Sequence, residues 1–241
     1  MESQIILGDC LEKLDAIKSE CVDLIITSPP YNLGNTHHTE NFRHKEYDDD
    51  MPEAEYQAWQ ANVMNECYRV LKPNGSMFYN HKNRIKKGVQ ITPYEWIFRT
   101  HFYVKQELVW FNGSPNFDKI RFYPMTERVY WLVKNKDTKL INTINHNDVF
   151  TREDWKPEGT KGIFKRAFPV KMVDDLIACF PEAEVILDPF AGSGTVAVSA
   201  MKANKKFICI EKDPEHYDIM NKRLDEITCY RQTHQEAFYG K

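Results

Sequence analysis

Two short stretches hold the residues most able to do chemistry. The first is Thr27-Ser28-Pro29-Pro30-Tyr31-Asn32, which ends the apolar run Val22-Asp23-Leu24-Ile25-Ile26. Proline has no N–H, so this strand exit offers acceptors, the Ser28 hydroxyl and the Pro29 carbonyl, with few competing donors. The Pro29-Pro30 pair fixes the backbone, which serves positioning. Two such acceptors can take both N–H bonds of an exocyclic amine and favour a pyramidal nitrogen with an available lone pair. Tyr31 can stack on the ring that carries the amine. Taken alone, the stretch is also an ordinary loop leaving a strand.

The second stretch is Asp188-Pro189-Phe190-Ala191-Gly192-Ser193-Gly194-Thr195, set between an apolar strand, Val185 to Leu187, and a helix, Val196 to Ala203. Strand, glycine turn and helix make a nucleotide-type site. Gly192 and Gly194 let a bound molecule approach the backbone, and the helix start supplies free N–H groups. No lysine follows Gly194, which excludes a Walker A loop. Gly192, Gly194 and Ala197 formally meet the dinucleotide fingerprint, and the next strand, Phe207 to Ile210, ends in Glu211. Asp188 argues otherwise. A carboxylate at the strand end repels a pyrophosphate and attracts a cation, such as the sulfonium and ammonium of S-adenosylmethionine. Glu211 would then accept hydrogen bonds from ribose hydroxyls. The plainer readings are a helix cap for Asp188 and an exposed strand-end acid for Glu211; Ser193 and Thr195 already offer capping oxygens.

The elements that must position these residues alternate strand and helix, the pattern of a parallel sheet covered on both faces. Strands are expected at Gln4–Leu7, Val22–Thr27, Ser76–Tyr79, Gln106–Phe111, Arg128–Val133, Val185–Leu187 and Phe207–Ile210. Helices are expected at Leu11–Ile17, Pro52–Leu71, Pro93–Thr100, Phe168–Phe180, Val196–Ala203 and Pro214–Leu224. Tyr56, Trp59, Val63, Cys67 and Val70 recur at helical spacing, and Pro73-Asn74-Gly75 breaks that helix. Residues 135 to 165 show no clear period.

The bulk numbers fit this picture. The chain has 241 residues, 42% hydrophobic and 28% charged, enough for one α/β domain or two small ones. Net charge is −3, so any nucleic-acid contact must use local patches, such as His81 to Lys87 or Lys156 to Lys171. The six cysteines show no C-x-x-C spacing and read as reduced thiols, and no metal site is expected. No apolar run approaches the ~20 residues of a membrane span, and the N-terminus lacks the basic region of a signal peptide. A cytoplasmic protein, not associated with membranes, is expected.

Together, Ser28-Pro29-Pro30-Tyr31 and Asp188 to Thr195 resemble the amino-methyltransferases of DNA, which carry [SDN]-P-P-[YF] and D-P-F-x-G-S-G-T motifs. The catalytic motif first and the cofactor loop late resemble the β class. Gly8-Asp9-Cys10, Arg69 to Gly75, Thr126 to Asn135 and Ile210 to Leu224 look like text of the same family, so the resemblance covers most of the chain. It implies an α/β, Rossmann-like, S-adenosylmethionine-dependent methyltransferase fold, circularly permuted, with a mostly parallel seven-stranded sheet and helices on both faces. The usual sheet begins at the cofactor-loop strand; here Gln4–Leu7 would come third, reached by permutation. The resemblance gives residues 1–134 and 167–241 to the catalytic domain and 135–166 to a small target-recognition insertion.

It also assigns residues. Ser28, Pro29, Pro30 and Tyr31 would be catalytic. Asp9 and Cys10 would lie near the cofactor's adenine, Phe168 and Pro169 near its methionine part, and Asp188, Phe190, Gly192, Ser193, Gly194, Thr195 and Glu211 around the rest. The family often has His-Pro before this Phe-Pro; the chain has Lys165-Arg166-Ala167 instead, so only Phe168 and Pro169 carry over. The target base must leave the duplex to reach such a pocket. Serine at the first motif position, and the Phe168-Pro169-Val170-Lys171 stretch, point to cytosine N4; adenine N6 is the alternative, and a silent DNA-binding module of the same fold is a remote one. For double-stranded DNA, His37, His38 and Arg43 in the loop after Tyr31, and Arg84, Lys86 and Lys87 at a strand end, are the expected contacts. The resemblance implies a prokaryotic or phage source, a homodimer and a cognate restriction endonuclease as partners.

Overall fold

The apolar runs join into one sheet. The computed structural model describes residues 2–34, 49–113, 119–142, 147–156 and 169–239, with side chains to residue 229. In chain order the elements are β1 (Gln4–Leu7), α1 (Cys10–Asp15), β2 (Val22–Thr27), α2 (Glu53–Val70), β3 (Leu71–His81), β4 (Arg84–Lys86), β5 (Val89–Ile91), α3 (Tyr94–Ile97), β6 (Tyr103–Phe111), β7 (Thr126–Val133), β8 (Val149–Phe150), α4 (Val170–Ala178), β9 (Val185–Asp188), α5 (Thr195–Lys202), β10 (Lys206–Glu211) and α6 (Pro214–Tyr239). The main sheet runs β1-β10-β9-β2-β3-β7-β6-β8, and β4 and β5 form a separate hairpin. Neighbours from β1 to β3 are parallel, β7 is antiparallel to both of its neighbours, and β8 is parallel to β6.

Period-two alternation sends neighbouring side chains into two cores. Ile25, Met77, Tyr79, Leu187 and Ile210 pack with α1, α2 and α3. Leu24, Ile26, Phe78, Ile186 and Cys209 pack with α4, α5 and α6. Burial on both faces explains why these strands read as continuous apolar runs. The expected permutation is present: β1 pairs with β10 from Gln4↔Ile208 to Leu7↔Glu211. Among the described residues, no helix is long and apolar enough to cross a membrane.

The structure corrects two expectations. The main sheet has eight strands, not seven, and the extra one, β8, comes from the stretch without clear period. One side chain anchors that stretch. Trp155 is fully buried, stacks on Phe150 with centroids 3.6 Å apart, and donates to Asp175 Oδ2 of α4 at 3.1 Å. A single aromatic anchor leaves no periodicity to read. Second, Pro73-Asn74-Gly75 ends α2 as expected but lies inside β3. The pairing with β2 steps from Val22↔Leu71 to Leu24↔Ser76, so the three residues form a bulge. A Cβ at Gly75 would come within 2.9 Å of the Asp23 carbonyl.

The connection from β9 leads outward to β10, beyond which β1 pairs, and the connection from β2 leads outward to β3 on the other side. The strand order therefore reverses between β9 and β2, where open α/β sheets bind ligands beyond the carboxyl ends of the strands. The two chemistry-bearing stretches leave these two strands.

Trp155→Ala should cost about 3–5 kcal/mol, read as a lower denaturant midpoint with an unchanged slope. A shift too small to resolve would show that residues 147–156 do not belong to the core.

Candidate active site at the switch point

The side chains that end β2 and β9 touch. Thr27 Oγ1 donates to Asp188 Oδ1 at 2.7 Å, and Phe190 N donates to the same oxygen at 3.0 Å. Asp188 is buried. Burial pushes its carboxyl up to about 7, against the two hydrogen bonds that favour the ionised form; Glu211 adds to the rise. Glu211 is also buried and accepts from Gly192 N at 2.6 Å and Asp213 N at 2.8 Å. It is not an exposed strand-end acid.

The glycines divide their work. Gly192 has φ 51°, and a Cβ there would meet nothing within 4 Å, so its bare backbone keeps the space before the turn open. Gly194 has φ 78°, and a Cβ there would strike Met220 Cγ at 2.4 Å. That glycine admits α6. Gly194 is also the N-cap of α5, which has no side-chain cap. Asp188, Ser193 and Thr195 therefore do not cap it. Ser193 instead accepts from Arg223 of α6, at 2.9 Å on Oγ and 2.6 Å on its carbonyl.

A cleft of about 360 Å³ opens at the carboxyl ends of β1, β9 and β10, lined by Asp9, Cys10, Pro30, Trp59, Phe190 and Lys212 among others. That is within the usual range for small-molecule sites, roughly 300–1,000 Å³. Asp9 Oδ1 accepts from Leu11 N at 3.0 Å and caps α1, while Oδ2 lies 3.6 Å from Lys212 Nζ. Burial pushes the Cys10 thiol up to about 12, so it is a neutral wall rather than a nucleophile. Phe190 meets Trp59 edge-on at 5.6 Å. An aromatic wall, an acid and a lysine suit a flat heterocycle with a polar edge. Pro169 is the N-cap of α4. Asp188, Gly192, Ser193, Gly194, Thr195, Glu211 and Pro169 are not among the residues lining the cleft; Phe168 lies outside the described residues.

On the other side of the diproline, a polar cluster joins three strands. Tyr31 Oη lies 2.8 Å from Ser28 Oγ, 2.8 Å from Asn80 Oδ1 and 3.0 Å from Glu127 Oε2. Asn80 Nδ2 donates to the Arg128 carbonyl at 3.0 Å, which turns its oxygen toward Ser28 and Tyr31. Asn112 Nδ2 donates to Glu127 Oε1 at 3.0 Å. Burial raises the Glu127 carboxyl above the ordinary range, opposed by the Tyr31 hydrogen bond and by Lys82. Burial, with Glu127 beside it, holds the Tyr31 phenol neutral. The Tyr31 ring packs on His81 with centroids 4.5 Å apart.

Tyr56 of α2 donates to the Pro30 carbonyl at 2.6 Å. Among the described residues the Pro29 carbonyl accepts no hydrogen bond and remains an available acceptor. Burial drops His81 to about 3, so its ring is neutral; Nδ1 lies 2.8 Å from the Lys82 carbonyl and Nε2 2.8 Å from the Tyr56 hydroxyl. Asn32, with φ 55°, exchanges two hydrogen bonds with the Met51 backbone at 2.7 and 2.9 Å and takes a third contact to Asp49 through its own N–H at 2.6 Å. It clamps both ends of the loop after Tyr31. His37, His38 and Arg43 lie within that loop and outside the described residues.

Of the basic residues expected on DNA, Arg84 is corrected. It is 3% exposed, pairs with both Glu53 oxygens at 2.7 and 2.9 Å, and lies over the Tyr56 ring at 4.6 Å. A guanidinium so committed anchors the β4–β5 hairpin to α2 and is not free for a phosphate. Lys86 reaches Glu53 at 3.4 Å, and Lys87 stands exposed at the hairpin turn. Sequence reasoning missed Asn80, Glu127, Asn112, Tyr56 and Lys212. Asn80 and Glu127 carried a signal: each is a polar residue at the end of an apolar strand.

Known proteins share the sequence pattern and the fold. A profile of the N6/N4 DNA methylase family matches residues 22–222. The Type II methyltransferase M.ScaI of Streptomyces caespitosus is 29% identical, over 90% of this chain and 80% of that protein. M.HinfI of Haemophilus influenzae is 28% identical, over 92% and 68%. The solved structure of the cytosine-N4-specific PvuII DNA methyltransferase superposes with a TM-score of 0.72 at 22% identity, covering 92% of this chain and 86% of that one. The M1.HpyAVI–SAM complex superposes at 0.58 with 24% identity, covering 91% and 98%. The sheet order, the joined strand ends and the match over most of the chain lead to one conclusion: the chain belongs to the N6/N4 DNA methylase family and is a DNA methyltransferase of the cytosine-N4 or adenine-N6 type.

Proposed function

We propose that the chain transfers the methyl group of S-adenosylmethionine to N4 of a cytosine flipped out of duplex DNA. The observation that carries this reading is the Thr27–Asp188 hydrogen bond. It ties the Ser28 acceptor to the acid that ends the cofactor strand. The two halves of a methyl transfer are thereby neighbours across one strand boundary.

The cleft residues fit the cofactor. The space before Gly192 is open, Asp9 and Phe190 stand where a purine edge and face would lie, and Glu211 is the ribose acceptor beneath the turn. Asp188, when ionised, attracts the cationic methionine end. When bound, S-adenosylmethionine supplies a methyl group already activated by its sulfonium. The rest of the work is this chain's own. Ser28 Oγ and the Pro29 carbonyl accept the two amine N–H bonds and localise the nitrogen lone pair. The diproline, fixed through Pro30 and Tyr56, holds both acceptors in place. Tyr31, tied by its hydroxyl, flanks the base with its ring.

Serine at the first motif position favours cytosine, and the PvuII enzyme with which the fold superposes is cytosine-N4-specific. Residues 135–166 are the proposed target-reading insertion, its described portion held to the core by Trp155. The exposed Lys87 is the proposed phosphate contact on the hairpin. The Type II names of the relatives carry the reading to a restriction–modification pairing.

Incubation with labelled S-adenosylmethionine and mixed duplex DNA, followed by digestion to nucleosides, should yield N4-methylcytosine. N6-methyladenine would overturn the choice of base, and no labelled nucleoside would overturn the reading.

Cofactor affinity should depend on pH through Asp188, whose carboxyl sits at about 7. The charged form attracts the cation, so affinity rises as pH rises from 6 to 8. Calorimetric titration of S-adenosylmethionine checks this. Thr27→Val, which removes a donor to the charged form, should move the transition to higher pH. A flat profile in both proteins would refute the role given to Asp188.

A further inference from the structure

We propose that Glu127 is the terminal proton acceptor of the transfer, reached from the amine through Ser28 and Tyr31. This rests on the methyl-transfer reading above and adds a part that the Ser-Pro-Pro-Tyr motif lacks. An amine that gains a methyl group carries one proton too many, and nothing in the motif is basic enough to keep it.

The geometry supplies a path. Ser28 Oγ is 2.8 Å from Tyr31 Oη, which is 3.0 Å from Glu127 Oε2. Each hydroxyl can accept one proton while passing on its own. As the N–C bond forms, the C–S bond breaks and its electron pair stays with sulfur. The nitrogen gives a proton to Ser28 Oγ, Ser28 gives its own to Tyr31 Oη, and Tyr31 gives its own to Glu127. The methylated amine and both hydroxyls end neutral, and Glu127 ends as a carboxylic acid that later returns its proton to solvent.

The surroundings suit a base better than a structural anchor. Glu127, the second residue of β7, faces Tyr31 from the exit of β2, Asn80 of β3 and Lys82 just beyond it, and Asn112 beyond β6. Arg128, its neighbour in sequence, turns instead to Glu107 at 2.7 Å. Glu127 thus accepts from the Tyr31 phenol and from the Asn112 and Asn80 amides, while Lys82 adds a coulombic attraction. A half-buried carboxylate held mainly by neutral donors is costlier to keep charged than an exposed one. Its raised pKa makes it a stronger base than an exposed carboxylate.

The test is single-turnover methylation of duplex DNA at saturating cofactor, so that Asp188 does not enter, across pH 5 to 9, with nucleoside analysis. Wild-type rates should fall as pH drops through the raised Glu127 carboxyl, because the base must be ionised. Glu127→Gln should slow transfer by about 10²-fold or more and abolish that acid limb, with cofactor and DNA affinities within about twofold. Glu127→Asp should restore part of the rate and the limb. A Gln variant with wild-type rate and profile would overturn the assignment. So would equal loss in Gln and Asp variants with the acid limb intact. A wild type that methylates nothing would overturn the transfer reading itself, and this assignment with it.

Discussion

A 2.7 Å hydrogen bond from Thr27 to Asp188 joins the two halves of this molecule. It crosses the boundary between β2 and β9, where the sheet reverses its order. On one side lie β9, β10 and β1, with the glycine turn and the cleft. On the other lie β2, β3 and β7, with the Ser28 cluster. A hydrogen bond to a charged group contributes about 1.5–3 kcal/mol, which matters more for position than for total stability. It sets Ser28, one residue beyond Thr27, relative to the cofactor strand.

The same bond is one of four that let two acids be buried beneath one turn. Removing a carboxylate from water costs several kcal/mol unless donors replace the lost hydration. Asp188 receives Thr27 and the Phe190 N–H, and Glu211 receives two backbone N–H groups. The compensation for Asp188 is partial, since its carboxyl still rises to about 7. A cationic ligand would complete it. The site is thus poised for a cation before one arrives, which is electrostatic preorganisation in structural form. The Glu127 cluster shows a related economy, a half-buried acid held mainly by neutral donors on the amine side.

Strand positions were legible because parallel strands buried on both faces are continuous apolar runs, and the permuted order followed from motif order. Ser28, Asp9, Phe190 and Asp188 were legible because local motifs bring them to strand ends. Glu127 and Asn80 were not, because their meaning depends on β7 lying antiparallel beside β3, a pairing that no local pattern encodes. Arg84 misled for a related reason. A basic cluster reads as a surface, yet the Glu53 carboxylate and the Tyr56 and Trp96 rings enclose one member of it. Gly194 has a packing role that no local motif shows, because Met220 of α6 lies against it. β8 was invisible because two strand residues and one buried tryptophan make no period.

That one boundary serves two separable functions is open to direct test. Turnover and S-adenosylmethionine affinity, measured side by side on Ser28→Ala and Thr27→Val, test it most directly. Ser28→Ala should lose about 10²-fold or more in turnover and keep its cofactor affinity, whereas Thr27→Val should lose both. Equal loss of turnover and affinity in Ser28→Ala, or no loss of either in Thr27→Val, would contradict it.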